Sequence, residues 1–391
     1  MIYRRIVGLA VVALSLAACA LEPGAPANRS GEIVTIDRIV NRVSDIPANK
    51  GQPHGLFVRE KVAASLLAAG KAEPGKVVLF VHGGYSPVEL AFDLAYRDYS
   101  WMAYLAEAGY DVFALNMTGY GRSSHPRMDD PCNLDAKTQN MLVPKTLAKP
   151  CKPSYPYQLV NSDTETSDIA RVVDYIRELR GVDKITLIGW SGGGIRIGTY
   201  AARHLEKIDK LIIHASSNYS RKNPDNPPKA LPVPGVPVSI QTRAVGEGER
   251  WLGTQKCAGQ IEPGLPDVVW NLGLDLDPIG ATWGTGGLRA PTRTYWGWNA
   301  NSAAKITVPV LIMVGEADRL TVSNRELLQD LGSQTKVFLG IACGTHFMVW
   351  EKQHRVLKRA SLDFLRNTSL NGATTGIFRA DENGVIAPAA P

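Results

Sequence analysis

The sequence predicts an α/β protein with a mainly parallel central sheet that is flanked by helices and interrupted by an inserted cap or lid. Short continuous apolar runs, such as Val-Val-Leu-Phe-Val at 77–81, are typical of strands buried on both faces of a parallel sheet. These runs alternate with segments of helical spacing, which favours strand–helix–strand units. The stretch at 216–306 is too long for a connecting loop, and it predicts the insertion.

The first 18 residues have the pattern of a signal peptide. Arg4 and Arg5 precede an apolar run at 6–18, which is too short to span a bilayer comfortably. The run ends in Leu-Ala-Ala-Cys, which resembles the lipobox of bacterial lipoproteins and implies lipidation of Cys19. A plain secretory signal that contains a cysteine is the alternative. We therefore expect an exported protein, either held at a membrane by its N-terminal lipid, on the periplasmic side of the outer membrane, or periplasmic, with a flexible tether at 19–31.

Residues 32–215 are predicted to form the first part of the α/β core and residues 307–366 the second part. Strands are expected at 33–40, 56–62, 77–81, 111–115, 184–188, 210–214, 308–314 and 336–339. Helices are expected at 91–108, 164–180, 192–204 and 347–365. The polar stretch at 367–391 is predicted to be a poorly ordered C-terminal tail.

The insertion at 216–306 holds five of the eight tryptophans of the chain. Their rings would either roof an apolar acyl or aryl pocket or form a small core of the insertion itself. The sequence leaves both interpretations open.

The charge pattern disfavours nucleic-acid binding. The formal net charge is +6, and the Lys and Arg residues are scattered, with no basic stretch interleaved with aromatic residues. There is no Cys-x-x-Cys and no Cys/His cluster, so we expect no zinc or other metal site, and no cofactor.

Four cysteines remain after Cys19, and an even number in an exported chain predicts two disulfides. Three pairings are possible. Cys132 with Cys151 is favoured, because these residues bracket a proline-rich loop whose closure is worth about 3 kcal/mol in the chain-entropy model. That pairing leaves Cys257 with Cys343, which would tie the insertion to the loop that carries His346.

The strongest chemical signal is Gly-Trp-Ser-Gly-Gly, centred on Ser191. It matches Gly-x-Ser-x-Gly and lies between a predicted buried strand and a predicted helix, the context that a nucleophilic serine on a tight turn requires. The helix N-terminus favours the negative charge that develops in acyl transfer. A structural serine in a glycine-rich turn is the alternative.

A serine nucleophile needs a base and an acid that orients the base. Of the seven histidines, His346 alone lies in a loop directly after the last predicted strand, where such enzymes place the base. Asp318 follows the preceding strand and is the preferred acid, with Glu316 as the alternative.

These residues resemble the α/β-hydrolase superfamily. The matching motifs are HGGY at 82–85, GYGRSS at 119–124, GWSGG at 189–193, GEADRL at 315–320 and GTHF at 344–347. The resemblance implies that the backbone N–H groups of Gly84 and Gly192 form the oxyanion hole.

Serine at position 191 disfavours the dehalogenase and epoxide-hydrolase branches of that superfamily, which use aspartate there. The expected activity is hydrolysis of a small-molecule carboxylic ester through an acyl-enzyme. An acyltransferase, a peptidase or a carbon–carbon bond hydrolase on the same scaffold remains open, as does a non-catalytic binding lipoprotein.

Overall fold

The computed structural model describes residues 31–389. The predicted signal peptide at 1–18, Cys19 and the tether up to residue 30 lie outside the described residues. The strands, numbered in chain order, are β1 Ile33–Val43, β2 Pro53–Ala63, β3 Val77–Val81, β4 Asp111–Leu115, β5 Val160–Asn161, β6 Ile185–Trp190, β7 Ile208–His214, β8 Val238–Thr242, β9 Gly287–Pro291, β10 Arg293–Thr294, β11 Val310–Gly315, β12 Lys336–Ile341, β13 Thr375–Ala380 and β14 Ile386–Pro388. The α-helices are α1 Ala64–Ala69, α2 Val88–Ala91, α3 Trp101–Glu107, α4 Ala136–Met141, α5 Ser162–Arg180, α6 Gly192–Ala201, α7 Leu265–Leu276, α8 Pro278–Ala281, α9 Ala300–Lys305, α10 Thr321–Asp330 and α11 His354–Asn367.

Ten strands form one sheet in the order β1-β2-β4-β3-β6-β7-β11-β12-β13-β14. The neighbours from β4 to β13 pair in parallel. The strands β1, β2 and β14 pair antiparallel at the two edges. The mainly parallel α/β sheet predicted from the apolar runs is confirmed.

Successive side chains of the central strands enter two separate apolar layers, because side chains alternate between the faces of a strand. Phe80 of β3 packs in the layer that contains Trp101 of α3 and Phe364 of α11. Its neighbour Leu79 packs in the other layer with Val172 of α5. Helices therefore cover both faces of the sheet, and the carboxyl ends of its parallel strands share one edge.

The helix predicted at 91–108 is interrupted. Between α2 and α3, Ser100 donates a hydrogen bond to Asp93 (2.6 Å) and accepts one from the backbone N–H of Ala103 (2.9 Å). Asp93 also pairs with Arg59 (3.2 Å). These short polar side chains bind local backbone and side-chain groups in a non-helical conformation, which starts a new helix at Trp101.

The closing helix predicted at 347–365 is also divided. A 3₁₀ turn at Met348–Trp350 comes first, and α11 begins at His354. Between them the carboxylate of Glu351 is fully buried and accepts hydrogen bonds from the loop before the turn. The inward-facing carboxylate marks the position where the regular helix gives way.

The prediction of a poorly ordered tail at 367–391 is wrong for most of that segment. Thr375–Ala380 forms β13, which pairs in parallel with β12, and β14 pairs with β13. Phe378 and Ala380 of β13 are buried against the core. The long-range pairing with β12 supplies the order that the polar composition did not predict.

The chain leaves the sheet after β7 and returns at β11, and these two strands are neighbours in the sheet. The intervening segment, hereafter the insertion, contains a two-stranded antiparallel sheet of β8 and β9, together with α7, α8, α9 and β10. Within residues 31–389, none of the helices is long and apolar enough to cross a membrane.

Candidate active site

Ser191 occupies the turn between β6 and α6 in a strained conformation, with φ 56° and ψ −117°. Positive φ is costly for a residue with a side chain, and such conformations persist only where the surroundings fix them. The backbone N–H of Ser191 donates to the carbonyl oxygen of His214 (2.9 Å), and its carbonyl oxygen accepts from the N–H of Gly194 (2.9 Å). The turn therefore holds Ser191 at the carboxyl end of a central strand, as the motif predicted.

Two glycines make this turn possible. A Cβ atom on Gly189 would lie 2.6 Å from the carbonyl oxygen of Gly193, and one on Gly193 would overlap the carbonyl oxygen of Val81. These obstacles are backbone atoms, which cannot move aside as a flexible side chain does. Glycine is therefore required at both positions by close packing of backbone against backbone.

His346 and Asp318 form a hydrogen-bonded pair. The Nδ1 of His346 lies 2.8 Å from Oδ2 of Asp318, and since an ionised carboxylate only accepts, Nδ1–H is the donor. The alternative acid, Glu316, is exposed and accepts instead from Arg379 (2.6 Å). The structure thus pairs His346 with the preferred acid.

The pKa of Asp318 lies below its usual value. Burial by itself would raise this pKa, but the hydrogen bond and the charge of His346 oppose burial, as does the backbone N–H of Leu320. Asp318 is therefore held in the ionised form, which fixes the tautomer of His346 with Nε2 free to accept a proton.

The loop that carries His346 is fixed on several sides. The Nε1 of Trp190 donates to the carbonyl oxygen of His346 (2.9 Å). The carboxylate of Glu351 accepts a hydrogen bond from the backbone N–H of Thr345 (3.0 Å). It also accepts hydrogen bonds from two side chains of the insertion, Gln260 (2.7 Å) and Trp251 (3.2 Å). The sequence pattern does not predict this role for Glu351, because residue 351 lies within the stretch predicted as the closing helix.

The favoured pairing of the four cysteines is confirmed. Cys132 is bonded to Cys151 and Cys257 to Cys343. Within residues 31–389, the ligand-type side chains that come close enough for a metal are Cys257, Cys343 and Glu382, and the two sulfurs of that group are already joined to each other.

The His-Gly-Gly loop after β3 is held in place by the buried side chain of His82. Buried His82 donates from Nδ1 to the carbonyl oxygen of Gly83 (2.7 Å) and accepts at Nε2 from the N–H of Met117 (3.1 Å). Burial lowers the pKa of His82 well below its usual value, so the ring is neutral. Among the hydrogen bonds of the described residues, none uses the backbone N–H of Gly84 or Gly192. Both groups remain available to a ligand.

A cavity of about 560 Å³ brings the predicted residues together. Its lining includes Ser191, His346 and Asp318, together with the predicted oxyanion residues Gly84 and Gly192. Ser191, His346 and Asp318 are predicted from sequence motifs, and Gly84 and Gly192 through the family resemblance.

Within residues 31–389, the tryptophans of the insertion line the cavity or pack against residues of the core, and they do not form a separate core of the insertion itself. Trp251 and Trp270 line the cavity. Trp283 packs in a small cluster formed mainly by residues outside the insertion, Trp298 packs in one layer of the main core, and Trp296 is fully buried. Arg293, which sequence reasoning also missed, reaches the same cavity wall from β10.

Comparisons with known proteins agree on the fold. A family model described as the alpha/beta hydrolase fold matches residues 76–353. Comparison with curated protein sequences gives no match.

Solved structures with a similar fold include a thermophilic esterase from Thermogutta terrifontis, at 16% identity and a TM-score of 0.50, over 84% of this chain and 98% of that one. A serine hydrolase from the polyaromatic hydrocarbon-degrading bacterium Cycloclasticus zankles is 14% identical, with a TM-score of 0.49 over 85% and 99%. A bromoperoxidase from Bacillus anthracis is 16% identical, with a TM-score of 0.47 over 85% and 100%.

Proposed function

Because the chain belongs to the α/β-hydrolase family, we propose that it is a serine hydrolase that cleaves a carboxylic ester. The observation that carries the proposal is the convergence on one cavity of a serine in a strained strand-to-helix turn and a hydrogen-bonded histidine–aspartate pair. A serine hydroxyl is a weak nucleophile at neutral pH, and a base oriented by a carboxylate supplies its activation.

The reaction proceeds in two halves. The Oγ of Ser191 attacks the ester carbonyl while Nε2 of His346 takes its proton, and Asp318 stabilises the imidazolium that forms. The backbone N–H groups of Gly84 and Gly192 donate to the tetrahedral oxyanion. His346 then protonates the departing alcohol, leaving an acyl-enzyme. Water, deprotonated by His346, attacks the acyl group and releases the acid and Ser191.

The insertion acts in this proposal as a cap over the reacting atoms. Trp251 and Trp270 extend the apolar wall that Trp190, Phe347 and Trp350 of the core begin. This aromatic wall would exclude water from the oxyanion and strengthen each hydrogen bond to it. The aromatic wall favours a substrate with an apolar acyl or aryl part.

Labelling with a fluorophosphonate probe tests the activated serine directly. We expect the mature wild-type protein to be labelled, Ser191→Ala to lose labelling, and His346→Ala to be labelled at least about 100-fold more slowly, because general-base assistance is typically worth that much.

Ser217→Ala is the matched control, since Ser217 lines the same cavity but lies outside the turn between β6 and α6. It should retain labelling. Absence of labelling in folded wild type, or labelling that persists in Ser191→Ala, would reject the proposed nucleophile.

A further inference from the structure

Arg293 lies in the cavity wall beside the proposed oxyanion hole. It belongs to β10, which pairs in parallel with β5 so that Arg293 faces Val160. Its Nη2 lies 3.4 Å from the position that a Cβ atom on Gly84 would take, and its Nη1 lies 3.2 Å from the equivalent position on Gly192. The side chain is 17% exposed. The guanidinium is therefore mostly desolvated and adjoins both glycines.

This guanidinium lacks a full counter-charge. In the described part of the chain it takes part in no hydrogen bond, and the nearest carboxylate oxygen, Oε1 of Glu165, lies 3.8 Å from Nη1. That oxygen is already engaged by Arg196, from Nε at 2.9 Å and Nη2 at 2.8 Å. Two largely buried guanidinium groups thus share one carboxylate, and an unpaired buried charge is costly.

The neighbouring groups do not remove this surplus. The ring of Tyr295 lies 5.3 Å from the guanidinium carbon of Arg293, and the ring of Tyr120 lies 5.5 Å from that of Arg196. Both hydroxyl oxygens are buried and have no hydrogen-bond partner among the described residues. Burial raises the pKa of Tyr295, so its hydroxyl stays neutral. The ring of Tyr295 lowers the cost of burying the Arg293 cation but leaves its charge in place.

The charged side chains of the cavity lining are three arginines and three carboxylates: Arg250, Arg293, Arg319, Glu247, Glu249 and Asp318. Glu247 is paired with Arg243 (3.0 Å) and Asp318 with His346 (2.8 Å), so neither carboxylate is available to Arg293. Between residues 31 and 389, three arginines of the lining and one carboxylate have no ion-pair partner within 3.5 Å: Arg250, Arg293, Arg319 and Glu249. An anionic group of a ligand would therefore find an incompletely compensated cation at Arg293, beside the proposed oxyanion hole.

We propose that the cavity takes an ester that carries a carboxylate and that Arg293 binds this carboxylate. The proposal rests on the proposed ester hydrolysis and names its substrate class. A planar guanidinium matches the two oxygens of a carboxylate, which would supply the partner that the protein itself does not. Trp251 and Trp270 would contact the apolar remainder of the substrate.

The experiment compares matched charged and neutral esters. The first pair is 4-nitrophenyl hemisuccinate and 4-nitrophenyl succinamate, which differ in the charge of the acyl part. The second pair is 4-carboxyphenyl butyrate and phenyl butyrate, which differ in the charge of the alcohol part. The quantity measured is the ratio of kcat/KM within each pair, for wild type, Arg293→Gln and Arg293→Lys.

We expect wild type to prefer the charged ester in one of these pairs by about 10- to 100-fold, the range for a hydrogen bond to a charged group. Arg293→Gln should remove that preference mainly through KM, because the contact is made before and during the reaction alike. Arg293→Lys should keep part of that preference, since lysine retains the positive charge but lacks the planar guanidinium that can bind both carboxylate oxygens. Arg203→Gln, a surface arginine paired with Asp163 (2.7 Å), should retain the wild-type ratio.

Two results would overturn the proposal. One is the absence of a charged-ester preference in wild type, or its persistence in Arg293→Gln. The other is an equal loss of kcat on all four esters in Arg293→Gln, which would make Arg293 an oxyanion or structural group. Fluorophosphonate labelling of each variant separates the proposals, because a labelled Ser191 without charge preference rejects only the role of Arg293.

Discussion

Ser191 is the residue at which the fold accepts local strain. A non-glycine residue in this backbone conformation costs about 1–3 kcal/mol. The cost is imposed by backbone contacts around Gly189 and Gly193 and by the hydrogen bond to His214. These contacts hold Ser191 in the cavity lining, where the proposed reaction requires it.

The lowered pKa of Asp318 predicts a pH-dependent contribution to stability. Because the pKa in the folded protein lies below the unfolded value of about 4, the contribution is present above pH 4 and is lost as the pH falls through the folded pKa. The difference in unfolding free energy between wild type and Asp318→Asn should therefore shrink as the pH is lowered from 7 to about 3. Urea unfolding at several pH values measures this difference.

Glu316→Gln is the matched control, because Glu316 comes from the same loop but pairs with Arg379 at the surface. An exposed pair of this kind is worth at most about 1 kcal/mol. Activity should survive Glu316→Gln and fall by orders of magnitude in Asp318→Asn. The reverse pattern would contradict the choice of Asp318 as the acid.

Single residues were predictable where a local pattern carried the information. Ser191 and His346 stand in short motifs next to apolar strands, so their place at the sheet edge follows from the sequence. Arg293 and Glu351 are ordinary charged residues by sequence. Their burial depends on contacts with Glu165 and with Trp251, which lie far away along the chain.

At the scale of elements, the Cys257–Cys343 disulfide joins the insertion to the loop of His346. We predict that replacing both cysteines by serine slows fluorophosphonate labelling, because the loop loses one of the attachments that position the base. The unfolding free energy should fall by about 4–5 kcal/mol in the chain-entropy model for a loop of this length. Labelling rates and urea unfolding test both effects.

Replacing Cys132 and Cys151 by serine provides the control. Gln139 bridges this loop independently, accepting from the N–H of Cys151 (2.8 Å) and donating to the carbonyl oxygen of Cys132 (2.8 Å). Stability should fall by about 3 kcal/mol with labelling unchanged. Wild-type labelling in a folded Cys257→Ser/Cys343→Ser variant would show that the bond does not position His346.

The predicted helix boundaries are wrong where polar side chains interrupt a helix. Hydrophobic spacing ran continuously through 91–108 and 347–365, but Asp93 with Ser100 ends one helix and Glu351 ends the other. Apolar periodicity reports which face is buried, whereas these breaks depend on the partners of polar groups. The strands, whose apolar runs are short and bounded, were placed within a few residues.

At the scale of the whole molecule, we propose that Cys19 is lipidated and anchors the domain to a membrane. Its lipobox-like context supports this, and the residue lies outside the described part of the chain. Metabolic labelling with an alkyne fatty acid in a bacterial host should mark wild type and fail to mark Cys19→Ala. The labelled protein should sediment with membranes.

The Cys132→Ser/Cys151→Ser variant is the control for this experiment as well, since it keeps Cys19 and should still be labelled with the fatty acid. An unlabelled wild type that is cleaved and recovered in the periplasm would support the plain secretory signal instead. The hydrolase proposal does not depend on this outcome, because the cavity is formed by residues after position 80.

The sheet as a whole extends further than the sequence pattern indicated. The central strands are continuous apolar runs that can be recognised in the sequence. In contrast, β13 is partly exposed and carries Arg379 on its outer face. Its membership depends on backbone pairing with β12, which no local composition specifies. Partly exposed strands near the end of a sheet, such as β13, are predicted less well from sequence patterns than the buried central strands.

The insertion begins and ends on neighbouring strands, and this has a consequence for how the molecule can change over evolutionary time. The residues proposed to break the bond, Ser191, Asp318 and His346, are encoded outside it, while Trp251, Trp270 and Arg293 are encoded within it. Since β7 and β11 are neighbours in the sheet, substitutions within the segment that connects them leave the strand order intact. Selection can therefore alter which molecules are accepted while the bond-breaking apparatus is inherited unchanged.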